Sequence, residues 1–129
     1  MRLLLDTHVL IFGIHEPMRL PSGVRAQLAE PENDRFFSIA SIWEMAIKIS
    51  LGKLEFPIDL DEVVDRFILK NSVQLLPIEP EHAMAVASLP WHHRDPFDRL
   101  LVAQASAESL TLVSADASFE AYDCTRLWD

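Results

Sequence analysis

Four short and nearly unbroken apolar runs punctuate the chain, at Leu3–Leu5, Phe36–Ile39, Val73–Ile78 and Leu110–Val113. Continuous rather than alternating hydrophobicity is what a strand needs when helices cover both faces of a parallel sheet. Between the runs the apolar period lengthens to that of a helix. Ile42, Met45, Ala46 and Ile49 recur at i, i+3, i+4 and i+7 before Gly52, and Ser41 followed by Glu44 matches a capping box, which predicts a helix opening at Ser41. A second helix is expected over Asp59 to Lys70, where Val63, Val64, Phe67 and Ile68 oppose a solvated acidic face of Asp59, Asp61, Glu62 and Asp65. A third is expected from Glu79 or Pro80 to Ser88. Asp95 then Pro96 read as the N-cap and first residue of a fourth, with Phe97, Leu100, Leu101 and Ala105 on one face to about Glu108. Pro21 to Ala29 reads as a weaker helix or a loop. The rhythm is βαβ, that of an α/β fold with a central parallel sheet flanked by helices. With no internal repeat and no Gly/Ser-rich linker, one domain is expected over residues 1–129.

Composition narrows the class. Of 129 residues, 50% are hydrophobic and 24% charged, which argues against disorder and for a sizeable core. Asp and Glu number 20 against 11 Lys and Arg, a net charge of −9. That excludes a protein that grips nucleic acid by bulk positive charge, because such binding depends on Lys and Arg neutralising phosphates. Any nucleic-acid role must be local. The one cysteine, Cys124, cannot form an intrachain disulfide, fits a reducing compartment and is expected in core or rim packing. The N-terminal Met-Arg-Leu-Leu-Leu-Asp reaches an acid after three apolar residues, too few for a signal peptide or a spanning helix. The expected location is the cytoplasm, with no membrane association.

The acids are placed suggestively. In a parallel α/β sheet the strand C-termini and helix N-termini share one edge, where ligands bind. Asp6 ends the first strand, Glu44 opens the helix after the second, Asp98 opens the helix before the fourth strand and Asp116 follows that strand. Each alone has an ordinary explanation: Glu44 and Asp98 suit helix N-termini, with Lys48 as an i+4 ion-pair partner for Glu44, while Asp6 and Asp116 suit turns or caps. Capping does not require four separate segments to deliver an acid to the same edge. Carboxylates crowded together repel one another, and a hard divalent cation such as Mg²⁺ or Mn²⁺ resolves that conflict through oxygen ligands. One or two such ions can orient a phosphate and activate a water for in-line attack, and the hydroxyls of Thr7 and Ser114 stand ready to orient the acids. The constellation is that of a phosphodiesterase.

Leu-Leu-Leu-Asp6-Thr-His-Val-Leu, Ser-Ile-Trp-Glu44-Met-Ala, Asp95-Pro-Phe-Asp98-Arg-Leu-Leu-Val-Ala-Gln-Ala and Leu-Val-Ser114-Ala-Asp116, in this order and spacing, resemble the PIN-domain ribonucleases. More narrowly, the chain is similar to the VapC-type toxins of bacterial toxin–antitoxin pairs, essentially end to end. The resemblance implies a PIN-like three-layer fold on a sheet of about five parallel strands, and Mg²⁺- or Mn²⁺-dependent cleavage of RNA to 5′-phosphate and 3′-hydroxyl ends. It also implies a homodimer, neutralisation by a VapB-type antitoxin and assembly into a larger toxin–antitoxin complex. Asp6, Glu44 and Asp98 match the family's three principal metal-site acids and Asp116 the fourth, more variable one; Thr7 and Ser114 match the hydroxyl positions beside the first and fourth. Ala115 stands where the family often has an arginine, which removes a substrate contact from that position.

Trp91-His92-His93-Arg94 does not make a zinc site, since adjacent histidines rarely converge on one tetrahedral ion and no second ligand pair stands at the right spacing. Lying just before the Asp98 helix, His92, His93 and Arg94, with Arg99, are instead candidate RNA contacts against the alternative of a solvated loop. Trp43 and Met45 read as core or dimer packing, Phe12 and Ile14 as core or part of an antitoxin groove, and His8 and His15 as loop polar groups. Two competing functions are a receiver-like Mg²⁺-binding phosphoacceptor and a catalytically silent PIN-like binding module. The first needs paired acids after strand one, an Asp at the end of strand three and a Lys after strand five, none of which is in place; the presence of all four acids argues against the second.

Overall fold

The first apolar run forms β1 (Arg2–Leu5), and the computed structural model, which describes residues 1–129, pairs it on both sides. Leu5 is in register with Phe37 of β2 (Asp34–Ser38) and with Val113 of β4 (Thr111–Val113). With β3 (Gln74–Leu76) and β5 (Thr125–Leu127) the sheet has five strands, all parallel, in the order β3-β2-β1-β4-β5. The unbroken apolar character of β1 now has its reason. Leu3 and Leu5 enter a core with Val9, Leu10, Val24, Phe37 and Met45, whereas Leu4 enters the opposite one with Leu101, Val102, Leu112 and Phe119. β5 is a half-exposed edge strand and carries no apolar run.

The helices follow the punctuation with three departures. α1 (Thr7–His15) starts directly after β1 with no loop, so Asp6 is both the end of a strand and the N-cap of a helix. Its N–H donates to Val113 O and its carbonyl accepts from Val9 N, both at 3.0 Å. The sequence reading held no helix here, because Asp6 looks like a turn residue and α1 is apolar nearly throughout, without a polar face to set a period. After a short 3₁₀ turn, α2 (Ser22–Ala29) confirms a helix at the weaker of the expected positions. α3 (Ile39–Ser50) is capped by Ser38, whose hydroxyl accepts from Ala40 N at 3.0 Å. The expected capping box at Ser41 is therefore wrong: Ser41 is buried and its hydroxyl makes no hydrogen bond, and Glu44 lies in the second turn.

The segment expected as one regular helix from Asp59 begins as α4 (Leu60–Val63), widens into a π turn over Val64–Ile68 and tightens to 3₁₀ over Leu69–Asn71. The wide turn places Val63 and Ile68, five residues apart, together in the interior with neither exposed. α5 (Pro80–Ala85) follows β3, with Glu79 N–H donating to the ring Nδ1 of fully buried His82 at 3.0 Å. α6 (Pro96–Glu108) is the crossover into β4, and its N-cap Asp95 accepts from Phe97 N at 2.8 Å and Asp98 N at 3.4 Å. Buried Gln104 on α6 accepts from Ser38 at 2.6 Å and donates to Pro77 O at 3.3 Å, tying the ends of β2 and β3 to this helix. Cys124 is half-buried against Phe119 and Leu110 in the α6-side core. No helix is long and apolar enough to cross a membrane.

Candidate active site

The sheet order reverses at β1: the chain runs outward from β1 through β2 to β3, then returns to lay β4 on the other flank. The C-terminal ends of β1 and β4 therefore border the crevice where such sheets bind ligands. A cleft of about 280 Å³ lies there, lined by Asp6, His8, Phe12, Asp98, Ala115 and Asp116. Three of the four acids singled out in the sequence share this cleft.

Each acid is held by a different device. Asp6 is buried, and Ser114 Oγ donates to its Oδ2 at 2.7 Å, leaving Oδ1 toward His8 Nδ1 at 3.8 Å. The Asp6 carboxylate beside it raises the His8 pKa above its usual value against the opposing effect of burial. Asp116 follows β4, where its backbone N–H donates to the same Ser114 hydroxyl at 3.1 Å, so one serine serves two acids. Burial pushes Asp116 up, but hydrogen bonds from His93 at 2.8 Å and from Ser118 N at 2.9 Å outweigh it, and the net shift is downward. Glu44 stands behind Thr7 rather than on the cleft wall: Thr7 Oγ1 donates to its Oε1 at 2.7 Å and Lys48 Nζ lies 3.1 Å from its Oε2.

Asp98 is the exception. It sits in the first turn of α6, half-buried, and its pKa is pushed up to about 7 by burial first, then by the charges of Asp95, Asp6 and Glu44, with only His93 opposing. No hydrogen bond stabilises its charged form. One carboxylate oxygen each of Asp98 and Asp116 and a ring nitrogen of His93 lie within 4.8 Å of one another. The cleft thus gathers carboxylates whose mutual repulsion the protein's own donors do not offset at Asp98. The donors are chiefly carboxylate oxygens, with imidazole nitrogens of His8 and His93 nearby and no thiolate, a set that fits a hard divalent cation.

The neighbouring loop corrects part of the expected RNA-contact set. Arg99 is 2% exposed, and its guanidinium donates to the carbonyls of Pro90 at 2.8 Å, Val86 at 3.0 Å and Leu89 at 3.2 Å, with Trp91 stacked over it at 3.8 Å. It is a structural clamp turned away from the cleft, because α6 directs residue 99 about 100° from Asp98 around the helix. His93 is also taken, by Asp116 and Tyr122. Arg94 and His92 remain exposed, the latter edge-on to Tyr122 at 4.9 Å. Met45 is fully buried, whereas Trp43 is 59% exposed with its ring edge-on to Phe97 at 5.3 Å, next to Glu44 and Asp98 in sequence. Sequence reasoning missed His8 and Phe12 as cleft walls, since both belong to the unforeseen α1. It missed His93 as the partner of Asp116, which no local spacing signals.

A second concavity of about 350 Å³ runs along α1 and α2 and is mostly apolar, with Val9, Leu10, Ile14, Leu20, Leu28 and Phe67 among its lining. Ile14 lines this groove; Phe12 lines the acidic cleft instead.

The family model of the PIN domain matches residues 3–123. Among solved structures, the chain is similar to one described as VapBC2 from Rickettsia felis bound to a DNA fragment from their promoter, with 16% identity, a TM-score of 0.75 and full coverage of both chains. It is similar to FitAcB from Neisseria gonorrhoeae, with 26% identity and a TM-score of 0.66 over 97% of this chain and 96% of that one. It is likewise similar to a DNA-bound VapBC from Salmonella typhimurium, with 20% identity and a TM-score of 0.71 over 98% and 96%. Among curated proteins the chain has no significant match.

Proposed function

The chain belongs to the PIN-domain family, a family of nucleases, and from that premise we propose that it is a VapC-like toxin: an Mg²⁺- or Mn²⁺-dependent endoribonuclease restrained by a VapB-type antitoxin. The observation that carries the reading is the cleft at the sheet's reversal point, where Asp6, Asp98 and Asp116 meet and the charge on Asp98 lacks compensation. Asp6, Asp98 and Asp116 would hold the cation, while Glu44, its oxygens engaged by Thr7 and Lys48, adds negative charge from behind Thr7. When bound, it supplies charge neutralisation for the phosphodiester and a more acidic water as nucleophile.

The chain's own residues do the rest. Ser114 fixes Asp6 and, through its backbone bond, the start of the Asp116 turn; Thr7 fixes Glu44 against Lys48. The hydrogen bonds set carboxylate orientation before any ligand arrives, which lowers the reorganisation needed on binding. Exposed Arg94 and His92 would contact phosphates flanking the scissile one, a positioning role that carries no sequence information. The products by family resemblance are 5′-phosphate and 3′-hydroxyl ends.

One structural neighbour is described as a toxin–antitoxin complex from Klebsiella pneumoniae and two others as VapBC proteins bound to DNA, which supports an antitoxin partner, a homodimer and a larger complex here. The apolar groove along α1 and α2 is suited to an apolar segment of that partner, whose basic residues would reach the acidic cleft. The test is RNA cleavage by purified protein with Mg²⁺ or Mn²⁺, beside Asp98→Asn and a chelator control. Wild type is expected to cut and the variant to lose at least about a hundredfold in rate while keeping its fold. Cleavage by the variant at the wild-type rate sinks the reading. Inducible expression in a bacterium, with sequencing of RNA 5′ ends, then identifies the target.

A further inference from the structure

His93 does something other than meet substrate. Its ring stacks with those of Phe119 and Tyr122, nearly parallel to both, at centroid distances of 4.6 and 5.4 Å. Both aromatic residues are buried, and the His93 side chain is itself only 9% exposed. The Tyr122 hydroxyl oxygen accepts from the His93 backbone N–H at 2.8 Å and lies 3.1 Å from its ring Nδ1, so one hydroxyl grips main chain and imidazole together. The opposite ring nitrogen, Nε2, is 2.8 Å from Asp116 Oδ2. A carboxylate can only accept, so Nε2 carries a proton there whether the ring is neutral or charged. While that bond stands, Nε2 has no lone pair for a cation.

We propose that His93, clamped by Tyr122, is a positioning residue that holds the Asp116 carboxylate in the cleft and thereby sets the affinity of the site for its divalent cation. The inference rests on the metal-dependent reading above. Asp116 needs such a strut: its side chain is 41% exposed, on a turn after β4, and free rotation would carry it into solvent. With His93 on Oδ2 and Ser118 N–H on Oδ1, both oxygens are fixed, and the Asp116 N–H reaches Ser114, which donates to Asp6. A chain of contacts thus runs from Tyr122 through His93, Asp116 and Ser114 to Asp6, joining the two walls of the cleft. Partners of this kind typically govern metal affinity by about 10- to 100-fold; for an acid already tethered by Ser118 the lower end applies.

The experiment is a Mn²⁺ titration of the full chain without RNA, with free Mn²⁺ read by electron paramagnetic resonance and folding checked by near-ultraviolet circular dichroism. His93→Ala is expected to raise the Mn²⁺ dissociation constant about tenfold. His93→Gln, whose amide still donates to Asp116, restores most of the loss, and Tyr122→Phe falls between. In an Asp116→Asn background His93→Ala costs little more, because it acts through that carboxylate. Wild-type affinity in His93→Ala overturns the proposal, as does an undiminished effect in the Asp116→Asn background. A ¹⁴N coupling on bound Mn²⁺ that persists in His8→Ala and disappears in His93→Ala also overturns it, since His93 would then be a ligand itself. Wild-type protein that binds Mn²⁺ with this His93 dependence yet cuts no RNA supports the proposal and removes the nuclease reading; no Mn²⁺ binding at all removes both.

Discussion

Asp98 shows how one side chain can report on a site. Its raised pKa, about 7 against 3.8 for the free group, means that the folded protein holds a proton that the unfolded chain has released over much of that interval. Its contribution to stability is complete below pH 3.8 and is lost as the pH rises through about 7. Asp98→Asn has no such dependence. The melting temperature of the variant, measured without divalent cation by calorimetry, is therefore expected to exceed that of wild type by more at pH 8 than at pH 5; a constant difference would show that Asp98 is not strained. Asp95 is the largest charged contributor after burial. Asp95→Asn keeps a capping oxygen for Phe97 N–H but deletes the charge, so the Asp98 carboxyl should titrate at lower pH in carbon-detected nuclear magnetic resonance. Of these side chains the acids were legible in the sequence, because each adjoins an apolar run or a helix start. Of their partners, Thr7 and Ser114 were foreseen as hydroxyls that orient the acids, whereas His93 was read as an RNA contact: it reaches Asp116 across 23 positions, a separation that only the fold closes.

Among the elements, α6 carries the most. Its capping by Asp95-Pro96 was plain in the sequence, since a proline at the first helical position and an acid before it act locally. The start of α3 was misread for the opposite reason: both Ser38 and Ser41 are buried, and Ser38 caps with its hydroxyl held by Gln104, 66 positions away on α6, a tertiary contact with no local signal. The π turn after α4 likewise answers to the interior, which takes both Val63 and Ile68. Arg99 on α6 was read by its charge, yet it binds the segment from Val86 to Trp91 onto the helix through three carbonyls. Arg99→Ala should accordingly destabilise the protein by about 2 kcal/mol, the scale of removing hydrogen bonds made by a charged donor, in urea denaturation. RNA affinity of the remaining folded fraction should be unchanged. A variant as stable as wild type but weaker for RNA would restore the original expectation.

The whole molecule remains acidic, with a net charge of −9, and its acids gather at the sheet's reversal point while few exposed cations flank them. RNA engagement is then a matter of the cation and a narrow rim around Arg94, not of a broad positive surface. At fixed Mg²⁺, log K for a short single-stranded RNA should fall with log salt no more steeply than about −2, since each phosphate neutralised contributes about −0.7. Fluorescence anisotropy across salt concentrations measures it, and a slope several times steeper would mean an unseen basic surface.

Asp6 ends β1 and caps α1 in the same residue, with its peptide N–H held by β4 and its carbonyl by α1. The floor of the cleft consequently has no slack. Asp6 therefore has no loop on which to swing: carrying its carboxylate out of the cleft would first have to break a strand bond to β4 or the opening turn of α1.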